Sequence, residues 1–487
     1  LYTKIVYNYF YVGEHSTVNE KFIIGCECMN ELEQLSDFIF NFDLEKTHYD
    51  VVETAKICVL DSFSAAVGAS KDKLIVDIIK KYKEFYNSEN ENGIYVWGHN
   101  IKLPVVQAAF INAMMGHKLE LDDVHTNSKT HIGTVVVPTA ICLAQYLKSS
   151  PKEFLEAVIC GYEVMSRIGM GFGVSSHRNK GWHVTSTAGT FGAAAAAAKL
   201  LKLNVKETTH ALGMAGTQSF GLWAFLEDSA SSKILHPARA ASSGIEAAML
   251  AKAGMTGPIS ILSANDGNLF KAMSDEYDMA KVTKDLGVVF EIKNVDNKPY
   301  PCCRSTHCAI DSAIQLKKLY IIDVDNIEEV QIGTYLVGYK QCGLTEGSKN
   351  PGTSTEAKFS TPYTFATAMI NGNVSLEHFT AESINNENVQ SLLKKVSVYS
   401  DDEFTKRYPM HWGCKAKIVM KDKNVYETEV KDASGSVYNP VSKNDIKNKA
   451  IPLLKVAYED SVIEKILNIE KYSDLFLESF MKQEAEN

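Results

Sequence analysis

Residues Leu103 to Pro138 read LPVVQAAFINAMMGHKLELDDVHTNSKTHIGTVVVP, and the rest of the chain is organised around them. Ala108, Phe110, Ile111, Met114, Met115 and Leu119 recur at helical spacing, which predicts a buried helix running out near Glu120. If the helix persists that far, His117, Glu120 and Val124 share a face. Glu120, Asp122 and Asp123 then fall at the end of a helix where negative charge is disfavoured, and such local conflicts mark candidate sites. The ending TVVVP, with Pro138, is expected to be an extended or buried segment that carries His131 and Gly133 inward. The plainer alternative is that the acids cap the next helix and the histidines are satisfied by hydrogen bonds.

On the N-terminal side, MNELEQLSDFIFNF from Met29 is amphipathic, whereas residues 1–28 carry no period. The functional chain is expected to begin at Met29, with residues 1–28 a non-native or disordered extension. Asp43 is placed to cap the helix that contains Val51, Val52, Ala55, Cys58, Val59, Leu60 and Phe63 and ends at Gly68. A further helix covers about Leu74 to Tyr86, and NSENENG then makes a polar turn.

On the C-terminal side, Pro151 to Met170 is helical. A Gly-rich stretch follows with His177, Arg178, Lys180 and His183, of the kind that forms sites or moving loops. Six alanines, Ala193 to Ala198, start a helix that neighbours can approach closely. Gly189 and Gly192 serve that packing or, at the helix mouth, an anion. Lys233 precedes an alanine-rich helix that carries His236 and Arg239, and composition alone makes it a surface lysine.

From about Lys293 the texture turns to β, with strands expected at 328–339, 396–399 and 415–420. The last forms a hairpin with VYETEV, and helices fall at 364–370 and 385–395. After Pro440 the helical period returns. The expected fold is mainly α with an inserted α+β domain. Residues 29–292 and 441–487 form a helical bundle built from both termini, and 293–440 form a smaller α+β lid.

A chain of 487 residues exceeds one ordinary core, and 45% hydrophobic with 22% charged residues supplies ample interior. The net charge of −9 excludes general nucleic-acid or anionic-membrane binding, so an anionic substrate must find cations gathered locally. No apolar run approaches the length of a spanning helix and no charged-apolar-small leader opens the sequence, so a cytoplasmic enzyme or binding protein is expected. Ten scattered cysteines suit reduced, buried thiols. Cys302, Cys303, His307 and Cys308 form a metal-like cluster, but adjacent cysteines lack the spacing of a zinc knuckle, and no metal is expected there.

Six segments in order resemble the MmgE/PrpD family, which includes 2-methylcitrate dehydratase, cis-aconitate decarboxylase and iminodisuccinate epimerase. They are VWG at Val96 to Gly98, HKLELDDVHTNSKTHIGTVVVP, GWHVTSTAGTFGAAAAAAKLL, FLEDSASSKILHPARAA, KPYPCCRSTHCAID and FSTPY. The resemblance implies a helical bundle with an inserted α+β lid, a site between them, a homodimer, and no metal, nucleotide or flavin. It also implies that His131 is the active-site histidine, that Glu120 falls where the decarboxylases carry a catalytic aspartate, and that His183, Lys233 and Lys298 match family positions. Where decarboxylases have threonine after the two aspartates this chain has Val124, and the segment from there to His131 is one residue longer.

Enzymes of this kind make or protonate a carbanion beside a carboxylate. That task needs fixed cations and a proton-transfer group poised near neutral pH. His131 is the expected proton-transfer residue. Lys233 and Lys298 would hold carboxylates, Glu120 would orient the cluster or act as second acid or base, and His183 would support. Arg304 and Tyr363 are expected to reach the substrate; Asp122 and Asp123 are expected to be mainly structural, His307 buried and hydrogen-bonded, and His236 and Arg239 to pack or pair. The expected activity is a cofactor-independent lyase on a small di- or tricarboxylic acid, most simply a 2-methylcitrate dehydratase-like hydro-lyase. The alternatives are an epimerase of a substituted succinate, a cis-aconitate decarboxylase and a non-catalytic polycarboxylate binder, in that order.

Overall fold

In the computed structural model, residues 29–86 and 92–472 are described. The expectations for residues 1–28, for most of the NSENENG turn and for the last residues of the C-terminal helix lie outside them. The main helices before the β-rich part are α1 Glu31–Asn41, α2 Tyr49–Gly68, α3 Lys73–Tyr86, α4 Val105–Lys118, α5 Gly133–Leu147, α6 Pro151–Gly171, α7 Val174–Asn179, α8 Val184–Leu200, α9 Val205–Thr217 and α10 Leu235–Lys252. They share one apolar core that runs from Leu32 to Val295 and is completed by Ile446 to Ile469. The late helices Lys443–Leu454 and Ser461–Leu467 both pack on α2. None of the described helices is long and apolar enough to cross a membrane.

The alanine helix α8 lies at the centre, and from Val184 to Ala198 every residue is buried. Close approach explains its glycines. A Cβ on Gly189 would stand 2.9 Å from Ala240, and one on Gly192 would stand 2.6 Å from Met165. The neighbour α10 answers with Gly244, where a Cβ would lie 2.3 Å from that of Ala193. Packing against α6 and α10 therefore accounts for both Gly189 and Gly192.

Three local expectations are corrected. The TVVVP run is not extended: it forms α5, with Pro138 inside the helix. Surrounded by α2, α4, α6, α8 and α10, it is buried on every side, and complete burial erases the periodicity that reveals a helix. Asp43 caps a single 3-10 turn, Leu44–Lys46, rather than α2, which begins after His48 without a side-chain cap. The strand expected at 328–339 stops at Thr334, and Leu336–Cys342 is helical. The helix expected at 385–395 is present as Glu387–Leu393, capped by Asn386.

A second core gathers Tyr300 to Ala433. Its sheet comprises β1 Ile327–Thr334, β2 Val396–Ser400, β3 Cys414–Met420 and β4 Val425–Val430, in the order β2-β1-β3-β4. β2 runs parallel to β1; the other pairs are antiparallel, and β3 with β4 is the expected hairpin. The chain is thus mainly α with a smaller α+β part. The two parts meet at the segment after α4, where Val124–His125 pairs antiparallel with Val295–Asp296.

Candidate active site

The site is built on the turn that ends α4. The helix stops at Lys118, and two residues later Glu120 adopts a left-handed backbone with φ 58°. Glycine is the usual occupant of this position, and another residue there costs about 1–3 kcal/mol unless its surroundings hold it. Here they do. Lys298 Nζ donates to the Glu120 carbonyl at 3.1 Å and lies 3.3 Å from its carboxylate, while Lys233 grips the other carboxylate oxygen. Lys358, a buried cation that nothing in the sequence singled out, donates to the preceding Leu119 carbonyl at 3.2 Å. His117, Glu120 and Val124 therefore share no helical face, because the chain has left the helix before Glu120.

His131 closes the same loop. Its backbone N–H donates to Thr185 Oγ1, in the first turn of α8, at 3.0 Å. Its Nδ1 lies 2.9 Å from the Asp123 carbonyl, which can only accept, so Nδ1 carries the proton and Nε2 offers the lone pair. The side chain keeps only 12% exposure, and burial pushes its pKa down to about 4, leaving a neutral imidazole at pH 7.

The acids fix this arrangement. Asp122 stands 2.7 Å from His117 Nδ1, 3.2 Å from His131 Nδ1 and 3.8 Å from Lys298 Nζ. Burial alone would raise its pKa, but those neighbours hold its carboxyl well below the usual range. Asp123 accepts from Gly133 N–H, the start of α5, at 2.9 Å and from the Tyr162 hydroxyl at 2.7 Å. A Cβ on Gly133 would come within 1.8 Å of Ser62 Oγ, so glycine is needed for that approach.

Above this floor lies a small cavity of about 60 Å³. Glu120, Val124, His131, His183 and Lys233 line it from the helical part, and Cys303, Arg304 and Phe359 from the α+β part. Lys233 is buried, not the surface residue its composition suggested. His183 Nδ1 meets His236 Nδ1 at 2.7 Å, so at least one of the two rings is neutral, and burial holds both below the usual histidine range. Cys303 is a further residue to which the sequence gave no role here. A hydrogen bond from Cys342 and the nearby Lys233 ammonium bring its thiol down to about 7.

Three expected participants sit elsewhere than their sequence roles required. Lys298 is fully buried but does not line the cavity, and it reaches the site through Glu120 and Asp122. Arg304 lines the cavity, yet its donors are engaged by Asp296 at 3.2 Å, by the Ser434 and Ala433 carbonyls and by His307 Nδ1. Tyr363 is withdrawn altogether: its ring is buried in the second core and its hydroxyl donates to the His378 carbonyl. It lies on the inward face of the helix Thr361–Asn371, and Phe359 of the same FSTPY motif meets the cavity instead.

Comparison with known proteins gives the family. The family model described as the MmgE/PrpD N-terminal domain matches residues 33–281, and the one described as the MmgE/PrpD C-terminal domain matches residues 300–475. The chain belongs to the MmgE/PrpD family. It is similar to the cis-aconitate decarboxylase of Mus musculus, with 26% identity over 87% of each chain. The Homo sapiens enzyme of that name is 27% identical over 87% of this chain and 88% of its own. The Aspergillus terreus enzyme is 25% identical over 88% and 90%. As an MmgE/PrpD protein with such relatives the chain is an enzyme, a lyase.

In this MmgE/PrpD site the one group of described residues with metal-ligand geometry is His117, Asp122 and His131, whose ligand atoms lie within 4.8 Å of one another. The arrangement fits a metal poorly: Asp122 is already shared between both rings, and the Lys298 ammonium beside it would repel a cation. The cysteine cluster of the KPYPCCRSTHC segment is turned apart. Cys302 bonds Thr306, Cys308 donates to the Trp412 carbonyl, and His307 is buried between Arg304 and the Cys302 carbonyl.

The buried imidazoles set a pH dependence of stability. His131, His177 and His236 are pushed down to about 4 by burial, and His183 lies well below 6.5, the value each regains on unfolding. Between these limits the unfolded chain binds more protons, so stability present above pH 6.5 is lost as pH falls toward 4. Asp123 and Glu163, pushed up to about 7 by burial, act oppositely over part of that interval, but these two carboxyls oppose six imidazoles, His99 and His307 being drawn down by burial as well. The urea midpoint is expected to be lower at pH 5 than at pH 7; an equal or higher midpoint at pH 5 would contradict neutral buried histidines.

Proposed function

We propose that this enzyme is a cofactor-independent lyase for a small tricarboxylate of the cis-aconitate kind, and that His131 moves the proton at the carbon beside a held carboxylate. The observation that carries this reading is the buried Glu120–Lys233–Lys298 group beneath a cavity lined by the neutral His131. Lys233 is the cation placed to take a substrate carboxylate and the enolate-like charge that develops on it. Lys298 acts through Glu120, which orients Lys233, and His183 lines the opposite wall with His236 behind it.

Decarboxylation is the first reading because the matched relatives bear that name over nearly the whole chain. The bond from carbon to the departing carboxylate breaks, carbon dioxide leaves, and the electron pair spreads into the remaining conjugated carboxylate. A proton taken up with the anionic substrate at His131 Nε2 then goes to carbon. Hydro-lyase chemistry is the second reading. It rests on Val124, which lines the cavity and offers no hydrogen bond. In that reaction His131 Nε2 removes the proton beside the carboxylate and hydroxide leaves.

Incubation of the purified protein with cis-aconitate, with 2-methylcitrate and with a substituted succinate in heavy water, followed by NMR, separates the readings. Carbon dioxide release with one deuterium in the product is the expected result, and alkene formation from 2-methylcitrate without gas supports the second. Deuterium exchange into a substituted succinate without net change points to an epimerase. No reaction and no exchange with any of the three acids would overturn the proposal.

A further inference from the structure

The charges at the floor of the cavity balance. Glu120 and Asp122 balance Lys233 and Lys298, so a trianion docking there needs another cation. Arg304, the expected candidate, is committed to Asp296, to two carbonyls and to His307. The remaining arginine of the lining is Arg178, on the short helix α7.

The Arg178 guanidinium donates no hydrogen bond to any described residue, and its Nε is buried without a partner. Among the described residues no carboxylate lies within ion-pair distance of it, and the groups acting on it electrostatically are Tyr408, Cys303 and Cys342. Glu120 lines the same cavity but is held by its two lysines. An arginine left so unspent beside a cavity is unusual, because its planar fork normally finds a bidentate acceptor.

Its position is nonetheless fixed. The guanidinium lies 4.4 Å from the centre of the Trp223 ring, and the other edge of that wall is the His183 ring, 4.8 Å from Trp223. Trp223 is anchored through its backbone N–H, which donates to the Gly181 carbonyl at 2.9 Å. Also in the lining, Lys129 is half-buried at a left-handed turn, φ 62°, over Trp412 at 4.0 Å, and donates only to the carbonyls of Thr126 and Pro409. Burial draws its ammonium well below the usual lysine range, a penalty that an adjacent carboxylate would relieve.

We infer that Arg178, stacked on Trp223 and flanked by Lys129, forms a second carboxylate subsite that selects substrates with a carboxylate remote from the reacting carbon. The inference rests on the proposed tricarboxylate reading and adds the residue that distinguishes such an acid from a dicarboxylate. Arg178 binds the far carboxylate through its fork while Lys233 holds the near one, and the aromatic wall keeps water from competing.

Titration calorimetry with two unreactive acids, tricarballylate and succinate, tests it. Arg178→Gln is expected to weaken tricarballylate binding about ten- to a hundredfold, the worth of a charge-assisted hydrogen-bonded pair, and to change succinate binding less than about twofold. Arg178→Lys, which keeps the charge and loses the fork, is expected to fall between, with an unfolding midpoint equal to wild type. Tricarballylate affinity unchanged in Arg178→Gln, or a parallel loss for both acids, overturns the subsite alone. Failure of the wild-type protein to bind either acid overturns the functional reading, and the subsite with it.

Discussion

Replacing His131 by alanine is expected to lower kcat by roughly 10²–10⁴-fold, the range of a positioned general acid or base. Fold and KM should stay close to wild type. The ring touches little that holds the fold: one Nδ1–H bond to the Asp123 carbonyl and a shared approach to Asp122. Asp122 keeps His117 and Lys298, and Asp123 keeps Gly133 and Tyr162, so the loop remains anchored without it. Unfolding monitored by circular dichroism beside steady-state rates separates chemistry from stability. Turnover within a few-fold of wild type would remove His131 from the mechanism, and the neutral Nε2 facing the cavity would need another explanation.

The second large effect is on stability. Lys298→Met removes a wholly buried ammonium that faces two buried carboxylates, Glu120 and Asp122, and breaking such a buried pair costs about 3–5 kcal/mol. The urea midpoint should fall accordingly, and activity should fall with it because Glu120 loses the contact that holds its left-handed backbone. Glu120→Gln should cost less in the Lys298→Met background than in wild type, because the contact the two residues share is already lost, a non-additivity that a double-mutant cycle measures. Additive single and double effects would show that the two residues do not share their charge as the geometry indicates.

Several features of the molecule were legible in the linear chain. The mainly α architecture with a smaller α+β part follows from apolar spacing up to about residue 292 and alternation after it, and the β3–β4 hairpin from a short polar turn between alternating runs. The segment 117–131 announced itself through acids and histidines emerging from an apolar helix, a local conflict that only a tertiary contact relieves. Lys233 was visible by resemblance, whereas its composition argued for the surface. Periodicity failed at TVVVP for a definite reason: a helix buried on all sides has no polar face to reveal its turn. Tyr363 failed because one motif offers both Phe359 and Tyr363, and the turn into the following helix decides which faces the cavity.

Sequence by itself determined most of the elements with a polar face, which family the motifs resemble and which residue types the chemistry requires, because these depend on local spacing and side-chain chemistry. Only the tertiary structure decided which cations are spent and which are free. Arg304 and Arg178 look alike in a sequence, but one is enclosed by Asp296 and carbonyls and the other by Trp223 and open cavity. The ionisation of His131 likewise comes from burial and from neighbours on separate segments. Long-range electrostatics in a low-dielectric interior depends on distances that chain order does not encode.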